Sequence, residues 1–570
     1  MGRSCFLLFF CLAGAWGQPA DLVLRNGRLV TVEPARPEVQ ALAARGGKIM
    51  ALGSDQQVQS LIGPSTRVID LGGRLAIPGF IEGHGHFMQL GASKMVLNLR
   101  DAKNWDEIVA IIGALARKAK RGTWILGAGF HQAKWNEPPE PNVQGFPVHD
   151  ELSKVSPRNP VWLTHASGHA GFANAEAMRL AGIRPGTPNP PGGEILKDSK
   201  GNPTGLLNET AQQLVTRALD SYRSHLPASE RTAEARMQAE LAARESLSKG
   251  VTTFEDAGSP LATVDLLRAL EKDDELGLRL WVMLREPNAK LAPVLRKYFI
   301  LGDANDHFTV RAIKRQIDGA LGSHGAWLLA PYSDLPAGTP NRSGINTEDP
   351  ADIRATAELA IENGFQLCVH AIGDRANREV LNVYESVFKE HRDKGDLRWR
   401  IEHAQHLDPA DIPRFARLGV IASMQGVHAT SDGPFVVGRL GFERTLAGAY
   451  VWQKLIKSGA IVTNGTDTPV EDVDPIACFY ASVTRKLKGG AVFFGDQKMS
   501  RMEALRSYTI NNAFAAFEEP VKGSLKVGKL ADVTVLSKDI LKIPEDEIPS
   551  AKVDYAIVGG KVLYDRAPVR

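Results

Sequence analysis

Cysteine is the scarcest resource of this chain: four residues in 570. Two of them, Cys5 and Cys11, lie near the N-terminus, which leaves Cys368 and Cys478 for everything else. A fold stapled by disulfides is thereby excluded, even for an exported protein. Long apolar runs are also missing. The run from Cys5 to Ala15 is too short to cross a bilayer, and no later stretch reads as a transmembrane helix. Charge of one sign is not concentrated either. Lys and Arg number 68 against 65 Asp and Glu, giving a net charge of +3, and the basic residues are scattered. A nucleic-acid partner, which needs a basic face, is therefore not expected. There is no low-complexity tail, and no repeat beyond the strand-helix rhythm described below. What remains is an ordinary globular composition, 43% hydrophobic and 23% charged. The length suits one large domain with smaller additions.

The N-terminus carries an export pattern. Arg3 precedes the apolar run, and Ala15-Trp16-Gly17 fits an A-x-G cleavage site with the mature chain starting near Gln18. Residues 1–17 are thus expected to be a signal peptide, and the protein to be periplasmic or secreted. Cys11 lacks the preceding small residues of a lipoprotein signal.

From Ala20 to about Leu75 the pattern is one of short strands and tight turns. Asn26-Gly27 and Gly46-Gly47 are both read as hairpin turns, and Gly559-Gly560 repeats the signal near the C-terminus. The two chain ends, 18–75 plus 519–570, are expected to build one small β-domain. The middle, 76–518, has another rhythm: short apolar strands alternate with amphipathic helices that stop at Gly250, Gly277, Gly364, Gly419 and Gly459. Eight strand candidates result: AIPGFIEGHGHF, VTTFEDAG, LRLWVMLRE, VRAIKRQIDG, FQLCVHAIGD, LRWRIEHAQ, VIASMQ and AIVTNGTDTP. Eight such units predict an α/β fold with a (β/α)8 TIM barrel, whose reactive residues sit at the C-terminal strand ends. The interval at about 95–228 is far too long for a βα loop and predicts an inserted subdomain over the barrel mouth.

The first barrel strand ends in His84-Gly85-His86. Residues two apart on a strand share a face, so both imidazoles can reach one ion. If this is a metal site, other strands should also end in ligands. Strand five ends at His370, strand six at His403 and strand eight at Asp467, while strand four puts Lys314, Gln316 and Asp318 on one face. The order H-x-H, Lys, His, His, Asp resembles the amidohydrolase superfamily of metal-dependent hydrolases on distorted barrels. The words VHAIGDRA, RIEHAQ, KRQIDGALGS and GTDTPVE resemble its branch that contains N-substituted formamide deformylase, over nearly the whole chain from Leu22 to about Tyr564.

That resemblance implies a site. His84, His86, Lys314, His370, His403 and Asp467 would hold two divalent ions. Lys314 would be carboxylated by carbon dioxide to an anionic bridge, because a protonated amine cannot ligate. The other arrangement is an ordinary Lys314 paired with Asp318 and a mononuclear site. Nitrogen and oxygen ligands without thiolates suit zinc best, with manganese, iron or cobalt as further possibilities. The ions would acidify a bridging water and polarise a substrate carbonyl, and Asp467 would shuttle the proton to the leaving amine. The expected reaction is cleavage of a C–N bond in a small linear or cyclic amide. A mononuclear deaminase and a non-catalytic exported metal binder are the alternatives. Substrate contacts are assigned to His169, Glu209, His131, Trp135, Gln425 and His428; structural roles are open for His169, Glu209 and Trp135, as for the acid Asp256. Family members often carry Asp where this chain has Ser167. A homodimer is the base expectation.

Overall fold

The computed structural model describes residues 18–99, 101–132, 135–165, 170–190, 193–338 and 342–566. The proposed signal peptide, Ser167 and His169 lie outside the described residues. The described chain forms two compact units, one running to Phe87 and resuming at Ala243, the other Met88–Ala242. Among the described residues no helix is long and apolar enough to cross a membrane.

In the first unit both chain ends contribute to a pair of sheets. One sheet has the strand order Lys48–Gly53, Ala41–Arg45, Leu22–Arg25, Arg67–Asp70. The second runs Lys561–Asp565, Val553–Val558, Val533–Leu536, Leu75–Pro78, Arg28–Val30, Glu38–Val39. Its centre joins the termini directly, since Val533–Leu536 pairs antiparallel with Leu75–Pro78. Leu24, Leu29, Leu42, Ala76, Val533 and Ile557 fill one core between the sheets.

Two of the three expected hairpins form: Arg45 pairs with Lys48, and Val558 with Lys561. Asn26-Gly27 is a correction. The strands on either side of it belong to different sheets and do not pair with one another. Asn26 takes a left-handed φ of 53°, and the chain crosses there from one layer of the sandwich to the other. An Asn-Gly corner serves a layer change as well as a hairpin, and only partner strands distinguish the two.

All eight predicted barrel strands are present: β1 (Phe80–Gly85), β2 (Val251–Ser259), β3 (Arg279–Leu284), β4 (Phe308–Gln316), β5 (Gln366–Ala371), β6 (Arg400–His403), β7 (Ile421–Met424) and β8 (Val462–Asn464). They pair in parallel, in chain order, into a nearly closed barrel. Their residues are almost continuously buried, as expected for strands covered on both faces. Helices Pro350–Asn363 and Ile412–Leu418 end as predicted at left-handed Gly364 and Gly419. Helix Leu261–Lys272 stops before the expected Gly277, because Asp274 already turns left-handed at φ 57°.

The seam between β1 and β8 is closed by side chains as well as backbone. The Asn512 amide donates to the carbonyls of Ile81 on β1 (2.6 Å) and Asn464 on β8 (2.9 Å). Beyond it, the Asp467 N–H donates to the His84 carbonyl and the His86 N–H to the Thr468 carbonyl, both at 2.8 Å.

The second unit has its own six-stranded sheet, in the order Gly193–Lys197, Pro203–Glu209, Ala170–Ala173, Val161–His165, Ile125–Phe130, Leu97–Asn98. Trp105, Ile108, Ile112, Phe130, Leu163 and Phe172 form its core.

One buried ion pair ties the sandwich to the N-terminal end of the barrel. Arg279, at the start of β3, donates from Nε (2.8 Å) and Nη2 (3.0 Å) to Asp532, which leads into strand Val533–Leu536 and also accepts the Gly559 N–H at 2.8 Å. Both side chains are almost wholly buried. Truncating one partner strands the other charge away from water, at a cost of about 3–5 kcal/mol. Asp532→Ala is expected to lose stability of that order in urea unfolding, and an unchanged midpoint would refute the assignment.

Candidate active site

Strand register brings the predicted residues to one end of the barrel. In the β5–β6 ladder Ala371 faces His403, so His370 and His403 sit one step apart on neighbouring strands; their ring centroids are 4.4 Å apart. The β1–β8 seam sets Asp467 beside the H-x-H pair. Asp467 Oδ1 lies 3.2 Å from His86 Nε2 and 3.6 Å from His84 Nε2. The His84 and His403 rings are 4.6 Å apart. His84, His403 and Asp467 each offer a ligand atom within 4.8 Å of the others, and all three residues are buried. His403 and Asp467 have φ of 76° and 57°, left-handed backbone that non-glycine residues adopt at a cost and that concentrates at functional sites.

Lys314 is 2% exposed, and its Nζ lies 3.4 Å from His84 Nε2. No hydrogen bond or ion pair joins it to Asp318 among the described residues. Asp318 instead accepts the backbone N–H groups of Trp327 (2.9 Å), Ile372 (3.0 Å) and Gly373 (2.8 Å), with His370 Nε2 at 3.5 Å from its Oδ1.

Three further contacts set the imidazoles. Glu402 accepts a very short hydrogen bond at His84 Nδ1, so the His84 Nε2 lone pair faces the cluster. Gln425 Oε1 accepts from His403 Nδ1 at 2.8 Å, which does the same for His403. Gln425 thus steadies a site histidine. His428 receives Gln405 Nε2 at its Nδ1 (3.0 Å), and its Nε2 lies 4.0 Å from Asp467 Oδ2. Asp256 accepts the Phe87 N–H (2.9 Å) and the Ser259 hydroxyl (2.7 Å), fixing the turn just after His86.

Burial pulls the imidazoles toward neutrality. It lowers His84 to about 4 and holds His370 and His403 well below their usual range. Burial likewise lowers the Lys314 amine. It opposes ionisation of Asp467 too, but the imidazoles of His86, His403, His84 and His428 outweigh it and hold that carboxyl well below its usual range. Burial alone would raise Glu402, yet its contact with His84, with Lys314 and Arg400 nearby, brings it down to about 2.

Neutral imidazoles beside ionised carboxylates are the protonation states that a divalent cation requires. His370 Nε2 and Asp467 Oδ1 are also buried and make no hydrogen bond among the described residues. Such orphaned acceptors are costly unless something else binds them. The donor set fits a divalent ion.

The remaining substrate candidates belong to the second unit. Trp135 packs in its core with Trp105 and Phe130, at ring distances of 6.1 and 6.4 Å. The His131 ring lies 4.8 Å from that of His165. Glu209 ends strand Pro203–Glu209. Sequence reasoning missed Glu402 as a partner of His84, and it missed Glu82. Glu82 precedes His84 by two residues on β1, is fully buried and accepts the Thr466 N–H at 2.5 Å. Burial raises its carboxyl to about 8. The period-two run Glu82, His84, His86 was its available signal.

A model of the amidohydrolase family matches residues 67–564. The chain belongs to the amidohydrolase family. Protein LONG AFTER FAR-RED 3 of Arabidopsis thaliana is 33% identical over 567 residues, covering 96% of this chain and 92% of that protein. N-substituted formamide deformylase of Arthrobacter pascens is 27% identical over 560 residues, covering 96% and 99%. An uncharacterized metal-dependent hydrolase from Pyrococcus horikoshii superposes with a TM-score of 0.72 at 25% identity, covering 92% of this chain and 99% of that one. Within this amidohydrolase, Glu402→Gln removes the anionic partner of His84 while keeping its shape. Loss of such a partner typically weakens metal binding about 10–100-fold, and chelator competition should show a drop in divalent-metal retention of that order.

Proposed function

We propose that this amidohydrolase cleaves the C–N bond of a small amide with water, using two divalent ions, of which zinc fits the donors best. The observation that carries the reading is the convergence of His84, His86, His403 and Asp467 at the C-terminal strand ends, with Lys314 buried against His84. A relative whose name specifies deformylation of N-substituted formamides supports the bond type. His84, His86, His370, His403, Lys314 and Asp467 would hold the ions, which when bound supply an activated water and polarise the substrate carbonyl.

Asp467 does the proton work in this reading. Its carboxylate orients the attacking water, takes a proton, and returns it to the nitrogen that leaves. The imidazole of His86, with those of His403, His84 and His428, whose Nε2 is 4.0 Å from Asp467 Oδ2, favours that carboxylate in its ionised form. Lys314 contributes as a carbamate: its neutral amine adds to carbon dioxide, forms the N–C bond and releases one proton. A buried amine within 3.4 Å of His84 Nε2 is suited to that role. The arginine-led apolar run at residues 3–15 supports export.

Asp467→Asn is expected to retain the fold and to lose hydrolysis by about a thousandfold or more, as for removal of a central proton-transfer group. Retained turnover in a steady-state assay on formamides and N-acyl amides would sink the mechanism. For Lys314→Met, metal analysis should fall from about two ions per chain toward about one. Protein equilibrated with 13C-bicarbonate should show a carbamate carbon resonance that this variant lacks.

A further inference from the structure

Arg285 follows directly on β3 and its side chain is exposed at the C-terminal end of the barrel. β3 lies between β2 and β4, so Arg285 stands beside the strand that carries Lys314. The contact runs over Gly258. A Cβ placed on that glycine would come within 3.0 Å of both Cβ and Cδ of Arg285 and within 3.2 Å of Lys314 Cβ. Gly258 also has a φ of +122°, a conformation that excludes other residues. The missing side chain is what lets the Arg285 stem lie against Lys314.

The guanidinium is held as well. Arg285 Nη2 donates to Gln316 Oε1 at 2.8 Å, and Gln316 Nε2 donates to the Asp318 carbonyl at 3.0 Å. Gln316 is two residues beyond Lys314 on the same face of β4, about 7 Å further along the strand. Among the described residues no carboxylate forms an ion pair with Arg285. Its neighbours are engaged elsewhere: Glu286 lies 3.4 Å from Lys290, Glu348 lies 2.8 Å from Arg315, and Asp256 is bonded to Phe87 and Ser259. Arg315, on the opposite face of β4, has its carboxylate; Arg285, on the site's side, has a neutral amide.

We infer that Arg285 binds a substrate carboxylate, so that the amide hydrolysed is an N-acylated amino acid. This rests on the hydrolase reading above. An anchored guanidinium retains a free edge of N–H donors that matches a carboxylate in bidentate fashion. Because Gln316, which holds the guanidinium, is the next residue after Lys314 on the same face of β4, the carboxylate belongs on a group borne close to the scissile amide, as it is in an N-acyl amino acid.

The test compares N-formyl and N-acetyl amino acids with their uncharged carboxamides, using the zinc-loaded full-length protein, Arg285→Gln and Arg285→Lys. The wild type should favour the acids by about 10-fold or more in kcat/KM. That ratio should collapse toward unity in Arg285→Gln, through KM, and recover in part in Arg285→Lys, with matching melting temperatures as the check on folding. A wild type indifferent to the carboxylate, or a preference that survives in Arg285→Gln, overturns the inference and leaves the hydrolase reading standing. If neither substrate set is hydrolysed while simple N-substituted formamides are, the inference is overturned and the hydrolase reading stands; if the formamides are untouched too, the hydrolase reading fails instead. Calorimetry with the same N-acetyl amino acids then decides: binding lost in Arg285→Gln supports the carboxylate site, and equal or absent binding overturns it.

Discussion

The seam where β8 meets β1 is the constraint on which the site depends. Asp467 and His84 are far apart in sequence, yet the Asp467 N–H donates to the His84 carbonyl, and the next pair outward, His86 and Thr468, repeats the bond. The carboxylate therefore stands beside the H-x-H pair because its backbone is bonded to that strand. The seam tolerates no extra atoms. A Cβ on Gly465 would come 2.6 Å from both Glu82 Oε1 and the His84 nitrogen, so glycine at the end of β8 is a condition of closure. Asn512 completes it where the two strands do not pair as a ladder.

Around that seam the barrel gives two of the imidazoles a partner that leaves a nitrogen free toward the centre. Glu402 does this for His84 and Gln425 for His403. Asp318, by gathering three backbone N–H groups from two segments, fixes the chain just after His370. A buried polar group left unpaired is expensive, and low polarity strengthens each bond that is made. The same burial that would destabilise a charged histidine keeps these rings neutral and able to ligate.

Much of this was legible in the primary structure. Alternation of apolar strands with glycine-stopped helices gave the strand number and order, because a parallel barrel repeats one local unit and strand ends inherit one meaning. The misreading has a physical cause as well. Asn26-Gly27 satisfies the local rule for a tight turn, but partner strands made it a corner between sheets. For Asp256 and Trp135 the residues alone leave pocket and packing roles open; Asp256 holds the Phe87 N–H and Trp135 lies against its own unit's core, while Gln425 holds His403.

The sequence by itself determined the repeating unit and the types and order of the polar side chains that reach the strand ends, because these depend on periodicity two along strands. Tertiary structure decided which groups face one another across strands: Glu402 on His84, Asp467 on the H-x-H pair, and Arg285 beside Lys314 over a glycine. Such pairings depend on register, barrel closure and the absence of a Cβ at one position. No local pattern in the chain encodes them.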